Sequence, residues 1–367
     1  MIASRLRVAT TVALLVLAPS SACHDEDDPD PPPITWEGEH LRFGTDADDG
    51  TICAGTLPYL DGAVGHLGEF FGRPEAQVDY YWLPDGPQPF CPANANGCAN
   101  ERGTFSKYVI HQHELVHAVK YPNLLYEPLE EVLAEAHGDD WDKYSVRGDI
   151  HDLLSNPTDG YIPGPGYGLA AHFVSYLEAT HGLESIIDLD VKTDYEATSF
   201  SQAEAAFAQV YGQSLDAEIA DYEADYPRCS TRLFRDKAFD CSRNVVVAPT
   251  AVDDELDMMV SLACDDPAVL GPRLGERWTT VALDVQVAGR YYIVVAPMEG
   301  GSVRPINIAR CDLTCFEYPT DVLSHVTGYE FGGGFCLEPS RYLFRLAIDE
   351  DGLDDYRLIV TNTGPCG

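Results

Sequence analysis

The chain is short of positive charge. Its 367 residues carry 23 Lys and Arg against 60 Asp and Glu, a formal net charge of −37. So negative a field repels phosphate backbones, which excludes nucleic acid as a partner, while favouring solubility and cationic ligands. Long apolar runs are also missing. The one candidate, residues 8–17, is too short to span a bilayer as a permanent helix. No G-x-S-x-G nucleophile elbow, no EF-hand spacing and no internal repeat occurs. Three acidic groups, residues 46–50, Asp188-x-Asp190-x-x-x-Asp194 and Asp349-x-Asp351-Gly352, lack a terminal glutamate at the calcium-loop distance and read as turns.

What is present begins with the ends. Arg5 and Arg7 precede the apolar run, and the small residues Ser20, Ser21 and Ala22 follow it, the layout of a secretory signal peptide over residues 1–22. Its loss with both arginines makes the net charge about −39. Cys23 comes next. The segment resembles a bacterial lipoprotein signal, in which that cysteine is lipidated, with Ser20 where leucine usually stands. The resemblance implies membrane attachment only through Cys23, in a bacterial cell envelope, with plain secretion as the alternative. Residues 23–39, acidic and proline-rich around Pro31-Pro32-Pro33, read as a semi-rigid tether.

Of the 11 cysteines, removing Cys23 leaves ten, an even number that suits an oxidising compartment. Three (Cys53, Cys91, Cys98) lie in the front half and seven behind. Both counts are odd, so if all pair, at least one disulfide joins front to back. Cys311-x-x-x-Cys315 is not a redox C-x-x-C and reads as a structural bridge.

The mature chain of about 340 residues exceeds one ordinary core, so two domains are expected. Up to residue 227 helical patterns dominate: residues 60–71, 108–119, 129–137, 167–180 and 201–210, with strands at 40–43 and 78–83. From residue 228 come β-branched and aromatic runs, 278–283, 290–295, 341–346 and 356–360, suggesting an all-β sandwich at 228–367. The fold class is α+β.

Residues 113–117 read His-Glu-Leu-Val-His, an H-E-x-x-H motif in a helical segment. Residues i and i+4 share a helix face, so His113 and His117 can hold one Zn²⁺ while Glu114 acts on a water activated there. A catalytic zinc usually has three protein ligands. A third histidine at the metzincin spacing is absent, because Lys120 stands where the glycine would be. Downstream, Pro128 can start a helix that places Glu127, Glu131 and Glu135 on one face.

Here the chain resembles the gluzincin metallopeptidases, including their M1 aminopeptidase-like branch. Glu130-Glu131-Val132-Leu133-Ala134 matches their Asn-Glu-Gly-x-Ala helix, with Val132 in place of glycine and 13 residues between His117 and Glu131, a shorter gap than theirs. The resemblance implies a zincin-like domain at 40–227, a small mixed sheet plus a helical subdomain. It implies Glu131 as third zinc ligand and Glu135 as an outer carboxylate orienting a ligand histidine. Glu135 as the ligand itself would give a gap nearer theirs. Pro165-Gly166-Tyr167-Gly168-Leu169-Ala170 resembles their Pro-Tyr-x-x-Gly, which makes Tyr167 the phenol that stabilises the developing oxyanion. Gly97-Cys98-Ala99-Asn100-Glu101 stands where they carry Gly-Ala-Met-Glu-Asn, with Asn100 replacing the amine-gripping glutamate. Endopeptidase activity on a peptide or protein substrate is therefore expected rather than aminopeptidase activity. The catalytic residues would be Glu114 and Tyr167. Two other classes stay open: a peptidase fold without turnover that serves as a surface binding protein or adhesin, and a zinc hydrolase of non-peptide amides. His111, His137, His151, His172 and His181 have no partner pattern and read as surface residues.

Overall fold

A computed structural model describes residues 29–47, 49–120, 149–155, 167–196, 199–225, 241–298, 307–311, 325–327, 330–349, 352 and 355–366. Cys23, the expected signal segment and the first part of the expected tether, residues 23–28, lie outside these residues. The tether ends earlier than the composition suggests. Ile34–Glu37 is strand β1, paired antiparallel with β2 (Leu41–Thr45), because Trp36 has an apolar core to pack on.

Helix α1 (Thr56–Phe70) crosses from β2 to the parallel strand β3 (Val78–Trp82). Strands β4 (Gly97–Asn100) and β5 (Gly103–Ser106) complete a mixed sheet of order β1-β2-β3-β5-β4, and α2 (Gln112–Lys120) follows. Period-2 alternation assigns the faces. Val78, Tyr80 and Trp82 enter the main front core with Leu60, Val64 and Leu67 of α1 and Leu115, Val116 and Val119 of α2. Tyr81 and Leu83 turn the other way, onto Phe105 and Cys91.

Helices α3 (Ile150–Ser155), α4 (Tyr167–His181), α5 (Leu183–Glu196), α6 (Phe200–Tyr211) and α7 (Leu215–Asp225) pack round a second core of Leu153, Leu169, Phe173, Leu177, Ile186, Phe207 and Tyr222. Gly212 ends α6 at φ +76, a left-handed position that costs a residue without Cβ little. Asp188, Asp190 and Asp194 lie inside α5 rather than in a turn, since Ile186 and Leu189 give that acidic stretch a buried stripe.

The back half is built from β6 (Val245–Val247), β7 (Glu255–Ser261), β8 (Leu270–Arg273), β9 (Glu276–Val285), β10 (Gly289–Pro297), β11 (Asn307–Arg310), β12 (His325–Thr327), β13 (Glu330–Leu337), β14 (Ser340–Asp349) and β15 (Asp355–Asn362). They form two sheets, β12-β13-β10-β15-β7 and β11-β14-β9-β6, with β8 also on β9. All pairs are antiparallel except β6 with β9. Alternating residues of both sheets, Val281, Leu283, Tyr342 and Phe344 from one and Tyr291, Ile293, Leu358 and Val360 from the other, share one core. The protein is thus of mixed α and β type with several sheets.

Front and back meet along β8. Cys53 pairs with Cys264, a front-to-back disulfide of the kind the odd cysteine counts require. The Gly55 amide donates to Val269 O at 3.1 Å and the Cys53 amide to Gly271 O at 2.9 Å. Thr56 Oγ1 lies 2.9 Å from both Gly271 N and Gly271 O. Leu270 and Trp278 belong to the front core. Residues 31–367 form one compact unit. Further disulfides join Cys91 to Cys98, Cys241 to Cys311 and Cys336 to Cys366. Cys311 therefore bridges to Cys241 and not to Cys315, which lies outside the described residues. Among the described residues no helix is long and apolar enough to cross a membrane.

Candidate metal centre

Helix α2 is held at both ends and along its buried side. In the segment leading into it, Tyr80 Oη donates to Tyr108 O at 2.6 Å and Trp82 Nε1 to Lys107 O at 3.2 Å. At its first residue, Gln112 Nε2 donates to Tyr59 Oη at 3.1 Å. At its end, the Arg73 guanidinium donates to Val119 O at 3.2 Å, where a cation also complements the helix dipole. Leu115, Val116 and Val119 face the core. Helical periodicity then turns His113 and His117 together to another side.

Their Nε2 atoms stand 3.1 Å apart, with ring centroids 4.8 Å apart. Two nitrogens bound tetrahedrally at about 2.0–2.1 Å from one zinc would stand about 3.3 Å apart. The pair therefore fits a shared zinc ion. Glu114 is buried, 7% exposed, between α2 and β4. Among the described residues no third His, Cys, Asp or Glu completes a metal-binding group. Glu131 and Glu135, expected as third ligand and outer carboxylate, lie outside the described residues. Tyr167 is the first residue of α4, and its side chain is outside them too.

Residues that the motif does not name surround Glu114. His111 Nδ1 is 3.9 Å from Glu114 Oε1 and 2.9 Å from Ser106 Oγ. The Tyr108 amide donates to the same Ser106 oxygen at 2.9 Å. The Tyr80 phenol is fully buried. Desolvation pushes its pKa up, against the opposing pull of Ser106 and of Arg273 from β8. Arg273 is itself buried and stacks its guanidinium 5.2 Å from the Tyr108 ring. No spacing rule points to Ser106, Gly97 or Arg273, because each reaches the site from a different strand.

Two histidines read as surface residues are interior. His111 has only 15% of its side chain exposed. His172 is fully buried, its Nδ1 2.7 Å from Tyr222 Oη. A polar partner supplied by another element makes such burial tolerable.

No family model matches the chain, and no curated protein matches it.

Proposed function

We propose that the protein is a zinc-dependent peptidase of the gluzincin kind. The observation that carries this reading is the convergence of His113 and His117 Nε2 at 3.1 Å beside the buried carboxylate of Glu114. His113, His117 and Glu131 are the proposed ligands. Zinc held there would supply a water of lowered pKa and a Lewis acid for a scissile carbonyl. Glu114 takes the proton of the attacking water and delivers it to the leaving amine. Tyr167, at the start of α4, is the proposed oxyanion donor. On this reading the mixed sheet with α1 and α2 is the zincin-like upper half, α3–α7 the helical subdomain, and the two back sheets a sandwich. The signal segment and disulfides support export, with lipid on Cys23 as the proposed anchor.

The test is metal content with proteolysis of a generic protein substrate. The purified protein should hold about one zinc per chain. His117→Ala should lose it. Glu114→Gln should keep it and lower turnover by roughly 10²-fold or more. Zinc bound without cleavage would favour a binding protein on a peptidase fold instead.

A further inference from the structure

Three elements enclose the Glu114 carboxylate. Helix α2 carries it. Strand β4 backs it with Gly97, whose α-carbon has no room for a side chain. A Cβ there would lie 2.7 Å from both Cγ and Oε1 of Glu114 and 2.8 Å from Nδ1 of His111. Carbon and oxygen do not approach so closely, so the bare glycine lets both side chains seat against the strand. The third wall is the His111 imidazole, which leads into α2 from the segment after β5.

His111 is itself fixed. Its Nδ1 lies 2.9 Å from Ser106 Oγ, and Ser106 is fully buried at the end of β5. That hydroxyl also accepts the Tyr108 amide, so its position is tied to the backbone on which His111 sits. The ring edge packs on Tyr108, centroids 5.4 Å apart at 81°. The imidazole therefore has little freedom, and Glu114 Oε1 sits 3.9 Å from its Nδ1. That is beyond a hydrogen bond, so the contact acts by packing and electrostatics rather than by passing a proton.

We propose that His111, braced by Ser106 and sharing the bare face of Gly97 with Glu114, is a positioning residue that sets where the Glu114 carboxylate can stand. The proposal rests on the reading of Glu114 as general base. A glutamate has three side-chain torsions, and a base must lie within hydrogen-bond reach of the proton that it takes. A carboxylate free to swing spends most of its time elsewhere, and a misplacement of about 1 Å can cost on the order of 10²-fold in rate. His111 Nδ1, 3.9 Å from Oε1, bounds the carboxylate on one side, and the missing Cβ of Gly97 leaves room for it beside β4.

The experiment compares His111→Leu, His111→Asn and Gly97→Ala with wild type in kcat, KM, zinc content and melting temperature, and adds a crystal structure of His111→Leu. Leucine removes the bond to Ser106. Asparagine returns an amide atom close to the place of Nδ1. His111→Leu and Gly97→Ala should each lower kcat by about 10- to 100-fold, as displaced outer-shell supports do, with KM within about 2-fold and zinc retained. His111→Asn should recover most of the loss, and Glu114 should be displaced in the His111→Leu structure. Should His111→Leu fail to fold, Gly97→Ala decides. Wild-type kcat in both substitutions, while Glu114→Gln is inactive, would overturn the positioning role and leave the peptidase reading standing. Were the wild type to cleave nothing, that reading would fall, and the structure alone would judge the geometry: an unmoved Glu114 in His111→Leu overturns it.

Discussion

The layer carrying α2 and the helical layer α3–α7 are stabilised in different ways. The first is joined to the back half of the chain. Leu270 and Trp278 complete its core, and backbone bonds and a disulfide tie the segment entering α1 to β8 and the segment before it. Its interior polar groups mostly serve the backbone, as Tyr80, Trp82 and Thr56 do. The helical layer has a core of its own, drawn wholly from residues 150–222. Its buried ionisable groups are paired with one another inside that core. Glu218 is fully buried, accepts from Tyr176 Oη at 3.0 Å and meets His181 Nε2 at 2.9 Å. On our reading the motif's histidines and Glu114 belong to the first layer and Tyr167 to the second. The proposed chemistry thus needs two separately stabilised bodies in register, and damage to each should leave a different signature.

The largest effect is expected from Trp278→Ala. Truncating a buried tryptophan costs about 3–5 kcal/mol, and Trp278 also supports the Arg345 guanidinium 4.2 Å from its ring. Although it lies far from the motif in sequence, the substitution should lower zinc affinity and the denaturation midpoint together. Undiminished zinc binding would break the claim that front and back share a core. Next comes His181→Leu, which leaves the buried Glu218 side chain without its imidazole partner. Leaving a buried polar group without its hydrogen-bond partner costs about 1–3 kcal/mol. Water reaches His181, whose side chain is 26% exposed, so about 1–2 kcal/mol is expected. Hydrogen exchange should quicken in α4–α7 while zinc stays bound to the α2 side. Exchange rising equally across the β strands would show the two layers to be one cooperative unit.

The smallest effect separates the layers by pH. Burial and the neighbouring Glu218 raise the Tyr176 phenol to about 12. A raised folded-state value favours the protonated form, so its stabilisation is complete below the ordinary phenol value near 10 and is lost as pH rises toward 12. The helical layer should lose stability across that window, and Tyr176→Phe should flatten the loss. An unchanged pH profile in Tyr176→Phe would place the alkaline transition elsewhere.

Sequence reading reaches some of this and not the rest. Helices α1, α2, α4 and α6 carry apolar residues at helical spacing and were readable within a few residues at either end. The long strands β9, β10, β14 and β15 announce themselves by apolar and aromatic runs. Helix α7 was overlooked, although Leu215, Ile219 and Tyr222 recur at helical spacing, because acidic residues fill the positions between. Short strands such as β6, β8 and β12, of three or four residues, offer too little pattern to separate from loop. In the site, His113, Glu114 and His117 were legible, since one helix turn sets their spacing. The roles of Ser106 and His111, and the contact of Gly97 with Glu114, are not legible, since they cross from β4 and β5 to α2.

The sequence by itself determined whatever neighbouring residues settle: the cysteine parity, the apolar spacing of the longer helices, and two imidazoles one turn apart. An i, i+4 pair needs only a helix, and local periodicity encodes that helix. The tertiary structure alone decided that Trp278 would pack in the core beneath α2, that Arg273 would stack on Tyr108, and that Gly97 would be the surface on which Glu114 rests. Such contacts join residues far apart along the chain, and no local preference specifies them. They follow from the single arrangement in which both faces of the front sheet, the edge along β8 and the buried polar groups are satisfied together.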